Sequence, residues 1–378
     1  MNPKARPLIE RLAEITDPRK AKGKRHPLSA LLGLCIVAMM CGAKTPKAIA
    51  EWWRNRQELG PFLERLGFTR TYGPSKSTVY RVLSPTCVEE LEVQVSQWVE
   101  ENLGPVARAN DAELEGVAMD GKTLRGSRKQ GAQKTHVLAA LSHRLGLILF
   151  QMSIEDKTNE IGAMPEFLAG LILEGRVFTM DALLTQREVA QTIIDGGGDY
   201  VMIVKENQPQ LYADLVELFA EPGAEPFIAD EVTTLAKGHG RIERRCLRTS
   251  LDLADVSDWP GLQQTFCLQR QTLILKTGQL RQQTVYGITS LSSHRAAAKQ
   301  LLSLTRGHWA IENKAHWIRD VVFGEDASQV RNGNLPHMMA ALRNCVITLF
   351  RLHAIRHIPE GFDFFAAHPF DALAAIGC

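Results

Sequence analysis

Val117-Ala118-Met119-Asp120 is a short apolar run that ends in an acidic residue. The run from Arg176 to Met180 has the same character, and Asp181 follows it directly. Short apolar runs with polar residues at their ends are typical of buried β-strands. Ligand-binding and catalytic groups of open α/β sheets gather at the carboxyl ends of the strands. If the two strands are neighbours, the carboxylates of Asp120 and Asp181 lie within reach of shared metal ions.

The segments around these runs predict a mixed sheet with flanking helices. Apolar runs at 136–142 and 147–153 flank Arg144-Leu145-Gly146, which is a hairpin pattern. Helical and strand patterns then alternate, with predicted helices over 160–174, 185–195 and 208–219 and strands over 176–180 and 200–204. Three strands followed by this alternation indicate an antiparallel meander that parallel strands extend, with helices packed on the faces of the sheet.

The chain divides into two predicted domains and a tail. Residues 1–106 show helical patterns throughout, which predicts a mostly helical amino-terminal domain. Residues 116–355 form the α/β domain. Strand-like runs predict a strand-rich insertion within it, at about 222–290. Residues 356–378 are interpreted as a carboxy-terminal tail.

The composition is typical of a soluble globular protein, since the 378 residues include 45% hydrophobic and 23% charged side chains. The formal net charge of +2 excludes a protein that attracts nucleic acid through its overall charge. The 7 cysteines include no CxxC pair, which predicts no disulfide framework and no zinc site. The uncharged run from Leu28 to Ala43 is shorter than the ~20 residues of a spanning helix. We therefore expect a buried core helix there, and a cytoplasmic protein without a membrane segment.

A strong metal site needs a third carboxylate, for which Glu312 and the Glu325-Asp326 pair are candidates. Glu312 lies on a predicted helix that runs to about His353. His308 and His316 are each four residues from it, which places them on the same helix face. Carboxylate oxygens suit Mg²⁺ or Mn²⁺. Each acid taken singly is equally typical of an exposed strand end or a solvated helix face, so both interpretations stay open from the residues alone.

Local clusters of Lys and Arg predict phosphate contacts despite the low net charge. They lie at 19–25, 121–134 and 237–248. Such contacts position DNA without reading its sequence, and they make binding fall steeply with salt. The alternative is that these segments are solvated basic loops without a partner.

Short motifs along nearly the whole chain resemble the DDE transposases of bacterial insertion sequences. The resemblance is to the ISAs branch, which includes the H-repeat-associated proteins. The motifs are 17–28 (DPRKAKGKRHPL), 48–52 (AIAEW), 120–127 (DGKTLRGS), 181–182 (DA), 205–209 (KENQP), 239–243 (HGRIE), 308–313 (HWAIEN) and 320–326 (DVVFGED). The wider family often carries Tyr, Arg, Glu and Lys around the last acid, where this sequence has Thr305, His308, Glu312 and Arg319.

The resemblance implies a ribonuclease H-like catalytic fold in which Asp120, Asp181 and Glu312 form the catalytic and metal-binding triad. It implies a DNA transposase that cleaves phosphodiester bonds at the element ends and transfers the strands into target DNA. Two ions of Mg²⁺ or Mn²⁺ would serve this in-line chemistry, with Asp120 bridging both. The implied partners are double-stranded DNA, bound in part by residues 1–106 at the element ends, and a second copy of the chain when ends are paired. The implied location is the bacterial cytoplasm, associated with the nucleoid.

The resemblance and the basic clusters together give a set of expected phosphate-binding residues. They are Lys122, Arg125, Lys205, His239, Arg241, Arg306, His308 and Arg319.

Two other functions remain open from the sequence. One is a catalytically decayed or domesticated protein that still binds DNA. The other is a nuclease of the same fold that cuts without strand transfer. Enzymes of other kinds are excluded as far as motifs can do so, because the sequence has no P-loop, no GxGxxG after a strand, no GxSxG and no HExxH.

Overall fold

The computed structural model describes residues 2, 4–56, 60–103, 114–124, 136–154, 160–220, 228–254 and 257–378. The chain forms two compact units. One consists of Met1–Pro105, Gly121–Glu160 and Ile311–Cys378, and the other of Val106–Asp120 and Ile161–Ala310. The expected combination of an amino-terminal helical region with a mixed α/β region is confirmed. Within the described residues, no helix combines the length and apolar character needed to cross a bilayer.

The amino-terminal region is helical, as its sequence pattern predicts. Its helices are α1 (Leu8–Leu12), α2 (Leu28–Met40), α3 (Pro46–Arg54), α4 (Gly60–Arg65), α5 (Lys76–Leu83) and α6 (Val88–Leu103). The apolar run that begins at Leu28 is a buried core helix, since almost every side chain of α2 is inaccessible to solvent. Local capping sets the helix starts. Thr45 accepts a hydrogen bond from the Ala48 N–H at the start of α3, and Ser75 caps α5 in the same way.

The strands form one nine-stranded mixed sheet in the order β3-β2-β1-β4-β5-β9-β8-β7-β6. They are β1 (Glu115–Thr123), β2 (His136–Ser142), β3 (Ile148–Ile154), β4 (Arg176–Met180), β5 (Asp199–Val204), β6 (Asp230–Gly238), β7 (Arg241–Ser250), β8 (Gln264–Ile274) and β9 (Leu280–Thr289). Strand β4 pairs in parallel with both β1 and β5, whereas β2–β3 and the strands from β5 through β9 to β6 pair antiparallel.

The described part of the segment between the hairpin and residue 307 contains several α-helices. They are α7 (Glu160–Ala169), α8 (Arg187–Asp195), α9 (Pro209–Ala220) and α10 (Ala298–Gly307). Helix α10 packs Leu301, Leu302 and Leu304 against the buried side chains of Leu247 and Phe266. The apolar face of α10 therefore covers one side of β7 and β8.

The segment after α10 departs from the regular helix that the sequence predicts. Glu312–His316 and Ile318–Val322 are wide π-helical turns, and the Phe323 N–H donates to the Ile318 carbonyl five residues earlier. Gly324 has a positive φ of 66° and ends the segment. The chain becomes helical again only at α11 (Leu335–Leu352).

The last residues of the chain are folded as well. They form α12 (Ile358–Ala367) and α13 (Pro369–Ala375), although the sequence suggested a tail there. The Cys41 thiol of the amino-terminal region donates to the Phe365 carbonyl at 3.1 Å. Hydrophobic residues of both helices are buried, which explains why this segment is ordered.

Candidate metal centre and DNA-contacting residues

Asp120 and Asp181 lie at equivalent positions on two neighbouring parallel strands. Met119 of β1 is the register partner of Met180 of β4, and each acid is the next residue of its chain segment. The expectation that these two strands lie side by side is therefore confirmed. Asp120 is half-buried, whereas Asp181 lies just beyond β4, with its side chain 57% exposed.

The carboxylate of Asp181 is held by its own backbone and by a lysine. Its Oδ1 accepts a hydrogen bond from the Ala182 N–H at 2.7 Å, and Lys205 Nζ lies 3.1 Å from the same oxygen. Partial burial acts to raise the pKa of Asp181. The Ala182 N–H, Lys205 and the nearby His308 outweigh this effect, so the pKa lies below its ordinary value. Asp181 is therefore an ionised acid with a cation beside it.

Glu312 begins the first π-helical turn and is paired with a histidine. His316 Nδ1 lies 3.1 Å from Glu312 Oε2, with the imidazole almost fully buried and the carboxylate half exposed. This hydrogen bond is the main reason that the pKa of Glu312 is lowered. The charge of Lys122 lowers it further, against the effect of burial. Glu312 is thus an ionised carboxylate with one oxygen fixed by a ring nitrogen.

Glu312 and His316 bring two possible metal ligands together on one π-helical turn. A carboxylate and an imidazole fit Mn²⁺, and carboxylates alone fit Mg²⁺. The sequence predicted Glu312 as a ligand but not His316, whose four-residue spacing from Glu312 was the available signal.

Lys122 lies two residues after Asp120 on β1 and is largely buried. Its Nζ is 2.6 Å from Asp320 Oδ2, and the side chains of Lys122 and Asp320 are 10% and 26% exposed. The other oxygen of Asp320 is buried and has no hydrogen-bond partner within the described parts of the chain. Lys122 was predicted to contact phosphate, and the structure places its charge close enough to Glu312 to lower the pKa of that carboxyl.

Two further predicted phosphate ligands lie at the end of α10. Arg306 is exposed in the last helical turn. His308 follows it and is half-buried, with its Nδ1 3.1 Å from the Thr179 carbonyl oxygen on β4. A carbonyl can only accept a hydrogen bond, so Nδ1 carries the proton in this contact. His308 therefore ties the end of α10 to the strand that leads to Asp181.

The predicted phosphate contact by Arg319 does not agree with the structure. Arg319 is 0% exposed, and its guanidinium binds both carboxylate oxygens of Glu325 at 2.9–3.1 Å through Nε. Its Nη1 donates to Gln151 Oε1 at 3.0 Å. A guanidinium enclosed in this way cannot reach a DNA phosphate, because the surrounding core excludes the ligand. Arg319 instead stabilises the segment that follows Glu312.

Two other predicted phosphate ligands, His239 and Arg241, lie on the β6–β7 hairpin. His239 is in the turn, with a positive φ of 48°, and the exposed Arg241 starts β7. Arg241 Nε lies 2.7 Å from Glu243 Oε1. Arg125 lies outside the described residues.

A buried histidine–glutamate pair beside β1 has no counterpart among the predicted site residues. His136 Nε2 and Glu160 Oε1 form a short hydrogen bond, and His136 Nδ1 lies 2.9 Å from Thr123 Oγ1. A Cβ at Gly121 would come within 2.7 Å of His136 Nε2 and 2.6 Å of Glu160 Oε1. Gly121 is thus required by close packing directly after Asp120. In the sequence, the glycine next to Asp120 was the only indication of this close packing.

A buried polar network joins α6, β3 and α11, and sequence reasoning missed it entirely. Glu325 accepts from both Arg319 and Arg343. Burial acts to raise the pKa of Glu325, but the two guanidinium groups outweigh it and hold the pKa below the ordinary value. Gln151 Nε2 donates to Glu92 Oε1 at 2.7 Å, and the same oxygen is 2.7 Å from His337 Nε2.

Comparison with known proteins assigns the chain to a family. The family model described as "Transposase DDE domain" matches residues 111–349, and the one described as "DDE_Tnp_1-associated" matches residues 9–99. The chain is 31% identical over 360 residues to the provisionally named transposase YncI of Escherichia coli O157:H7, covering 91% of this chain and 87% of that protein.

A second relative gives the same result. The chain is 30% identical over 357 residues to the provisionally named H repeat-associated transposase YhhI of Escherichia coli strain K12, covering 90% of this chain and 89% of that protein. A distant structural likeness, with a TM-score of 0.44 and 9% identity, is to the piggyBac transposase synaptic complex with hairpin DNA, covering 97% of this chain and 78% of that chain. The chain belongs to the DDE transposase family, as its motifs indicated.

Proposed function

We propose that this transposase catalyses metal-dependent phosphodiester cleavage at the ends of an insertion sequence and transfers the cut strands into target DNA. The observation that carries the proposal is the register of β1 and β4, which sets Asp120, within β1, beside Asp181, the residue that follows β4. The ionised carboxylate of Glu312, held by His316, supports it further.

The strand arrangement supports a ribonuclease H-like catalytic fold for this region. In the sheet, the antiparallel β2–β3 hairpin is followed by β1, β4 and β5. Strands β1, β4 and β5 pair in parallel. In such a sheet the carboxyl ends of parallel strands form the natural ligand-binding edge. We keep the predicted division into residues 1–106 for DNA-end binding, 116–355 for catalysis with an insertion at about 222–290, and 356–378 as the last segment.

The donor set fits divalent cations that favour oxygen ligands. Asp120, Asp181 and Glu312 would hold two Mg²⁺ or Mn²⁺ ions, and the low pKa values of Asp181 and Glu312 keep those acids ionised for this role. Such ions, when bound, stabilise the attacking and leaving oxygens of an in-line displacement at phosphorus. His316 orients Glu312 through its ring nitrogen and is a further candidate ligand.

The cations beside these acids have a distinct role. Lys122 and Lys205 neutralise part of the carboxylate charge and, with Arg241 and Arg306, would bind the phosphates of double-stranded DNA. Pairing of two element ends would bring two copies of the chain together. This activity belongs in the bacterial cytoplasm, at the nucleoid.

The test is a cleavage and strand-transfer assay on DNA that carries the ends of the chain's own element. Mg²⁺, Mn²⁺ and EDTA would be compared for the wild type, for Asp181→Ala and for a control, Asp363→Ala, which removes an exposed acid from α12. We expect metal-dependent nicking at the ends and joined products in the wild type and the control, and neither with Asp181→Ala.

The other outcomes identify the alternatives. Binding without cutting in either metal would indicate a decayed or domesticated DNA-binding protein. Cutting without joined products would indicate a nuclease of the same fold. Metal-dependent cutting by Asp181→Ala at the wild-type rate would remove Asp181 from the catalytic set.

A further inference from the structure

Four arginines from three neighbouring strands project from one face of the sheet. Arg245 of β7 is the register partner of Arg270 of β8, and Arg270 is in turn the partner of Gln283 of β9. Arg241 lies four residues before Arg245 on the same strand, and Arg281 lies two residues before Gln283. Residues two or four apart on a strand share a face, so Arg241, Arg245, Arg270 and Arg281 form one surface, here called the arginine face.

The arginine face is the outward continuation of a buried apolar surface. Leu247, two residues beyond Arg245, and Leu268, two residues before Arg270, lie in the core that α10 covers. Helix α10 ends at Gly307, and Arg306 in its last turn is close enough to Arg245 to act on it electrostatically. The face is therefore apolar under the helix and cationic where the helix stops.

The charges of this face are poorly balanced. Glu243 is the acidic residue described on this face. One of its carboxylate oxygens contacts Arg241 and the other contacts Arg245. Arg270 donates to the neutral amide oxygen of Gln283. Burial, followed by the charges of Arg306, Arg270 and Arg241, lowers the pKa of Arg245. Like charges directly opposite in a sheet are destabilising, so an anion bound here would relieve a repulsion that is built into the fold.

The surface has the shape and donors for a chain of phosphates. A groove of about 440 Å³ is lined by Arg241, Glu243, Arg270, Thr272, Arg281, Gln282 and Gln283. Guanidinium groups bind phosphate with two parallel hydrogen bonds, and hydroxyl and amide side chains add contacts of the kind seen along DNA backbones. An open groove with several separated guanidinium groups suits an extended polyanion better than one small anion.

We infer that the arginine face binds the sugar–phosphate backbone of duplex DNA, with Glu243 orienting Arg241 and Arg245. This inference rests on the proposed function and adds to it a binding surface that includes Arg245, Arg270 and Arg281. Arg306 and His308 follow one another closely at the end of α10, and His308 contacts the strand that precedes Asp181. DNA on this face would therefore lead toward the strand end that carries Asp181.

The test is binding of the full chain to a fluorescent random-sequence duplex, measured by anisotropy over a series of salt concentrations. Arg270→Gln with Arg281→Gln removes the half-buried Arg270 and the exposed Arg281 from the face. The matched control, Arg331→Gln with Arg356→Gln, removes two exposed arginines that lie outside the sheet and outside the predicted basic clusters. All variants would also be assayed for metal-dependent cleavage of element-end DNA.

We expect the Arg270/Arg281 double variant to bind roughly tenfold more weakly, with a salt slope smaller by about 1.8 for two lost phosphate contacts. The control should bind like the wild type. Equal binding by both double variants, or equal weakening, would overturn the arginine face as a specific surface while wild-type cleavage leaves the proposed function intact. A wild type that neither binds nor cleaves duplex DNA would overturn both. Tighter binding of polyglutamate than of DNA would indicate an acidic protein partner instead.

Discussion

Lys122 Nζ lies 2.6 Å from Asp320 Oδ2, which joins the strand of Asp120 to the π-helical segment of Glu312. Both side chains are mostly buried, so the pair is screened from water less than a surface ion pair. The ion pair therefore fixes the position of the Lys122 charge relative to the carboxylate of Glu312.

Asp320→Asn should therefore reduce cleavage while leaving DNA affinity nearly unchanged. The amide keeps the shape of Asp320 but removes the charge that holds Lys122. A misplaced cation near the reacting phosphate is expected to lower the cleavage rate roughly tenfold to a hundredfold. Single-turnover rates and anisotropy on the same DNA would separate the two effects. The conservative variant Asp320→Glu keeps the charge and should retain part of the rate; a loss of affinity equal to the loss of rate would contradict the positioning role.

Gly121→Ala should destabilise the protein. The new Cβ would come within 2.7 Å of His136 Nε2 and 2.6 Å of Glu160 Oε1, two groups already locked in a short hydrogen bond. Overpacking of this kind costs about 1–3 kcal/mol. Thermal unfolding would show a lower Tm.

Gly162→Ala is the matched control for that change. Gly162 is also a glycine, but it lies within α7, and a Cβ there would meet nothing within 4 Å. Alanine in a helix interior is favoured over glycine by about 0.5–1 kcal/mol, so this variant should unfold at the same or a higher temperature. A Gly121→Ala variant as stable as Gly162→Ala would show that the strand is not packed as described.

Glu325→Gln should lower stability by about 3–5 kcal/mol, because it leaves Arg319 and Arg343 buried without their shared counter-charge. The exposed Glu64→Gln in α4 should have almost no effect. Urea unfolding at neutral pH would measure both.

The same carboxylate predicts a pH dependence of stability. The pKa of Glu325 in the folded protein lies below its ordinary value of 4.5. The ionised carboxylate therefore contributes fully above pH 4.5, and its contribution is lost as the pH falls through the folded-state pKa. Melting temperatures below pH 4.5 should fall more steeply for the wild type than for Glu325→Gln. Parallel curves would assign the acid sensitivity to other carboxylates.

His316→Ala should weaken Mn²⁺ binding roughly tenfold to a hundredfold, the usual effect of removing a group that holds a metal-ligating carboxylate. His316 Nδ1 lies 3.1 Å from Glu312 Oε2. Calorimetric titration of metal into the DNA-free protein would measure this without relying on activity. His353→Ala, at the end of α11, is a suitable control. Unchanged Mn²⁺ affinity in His316→Ala would limit the role of His316 to packing.

The local parts of the fold could be predicted from the sequence. The apolar runs before Asp120 and Asp181 depend on a few neighbouring positions, and the structure forms strands there as expected. The capping hydrogen bonds of Thr45 and Ser75 are equally local. The adjacency of the two acids followed from strand order alone.

The features that depend on distant residues could not be predicted. Arg319 looked like one of several surface cations, because its hydrogen-bond acceptor Gln151 is far away in the chain, as is Arg343, which binds the same Glu325 carboxylate. Arg270 and Arg281 carried no local motif, and only the pairing of β7, β8 and β9 brings them beside Arg245. The π-helical turns could not be predicted either, because the four-residue spacing of His308, Glu312 and His316 fits an ordinary α-helix equally well.

The contact between Glu92 and Gln151 has a consequence for the modularity of the transposase. Glu92 lies in the region matched by the associated-domain model and Gln151 in the region matched by the DDE model, yet the two side chains share one buried hydrogen bond. A hybrid that took its first hundred residues from a different transposase would have to bring a matching acid, or leave Gln151 and His337 without their partner in the core. The two regions that these family models match therefore cannot be exchanged independently, because replacing one constrains the sequence of the other.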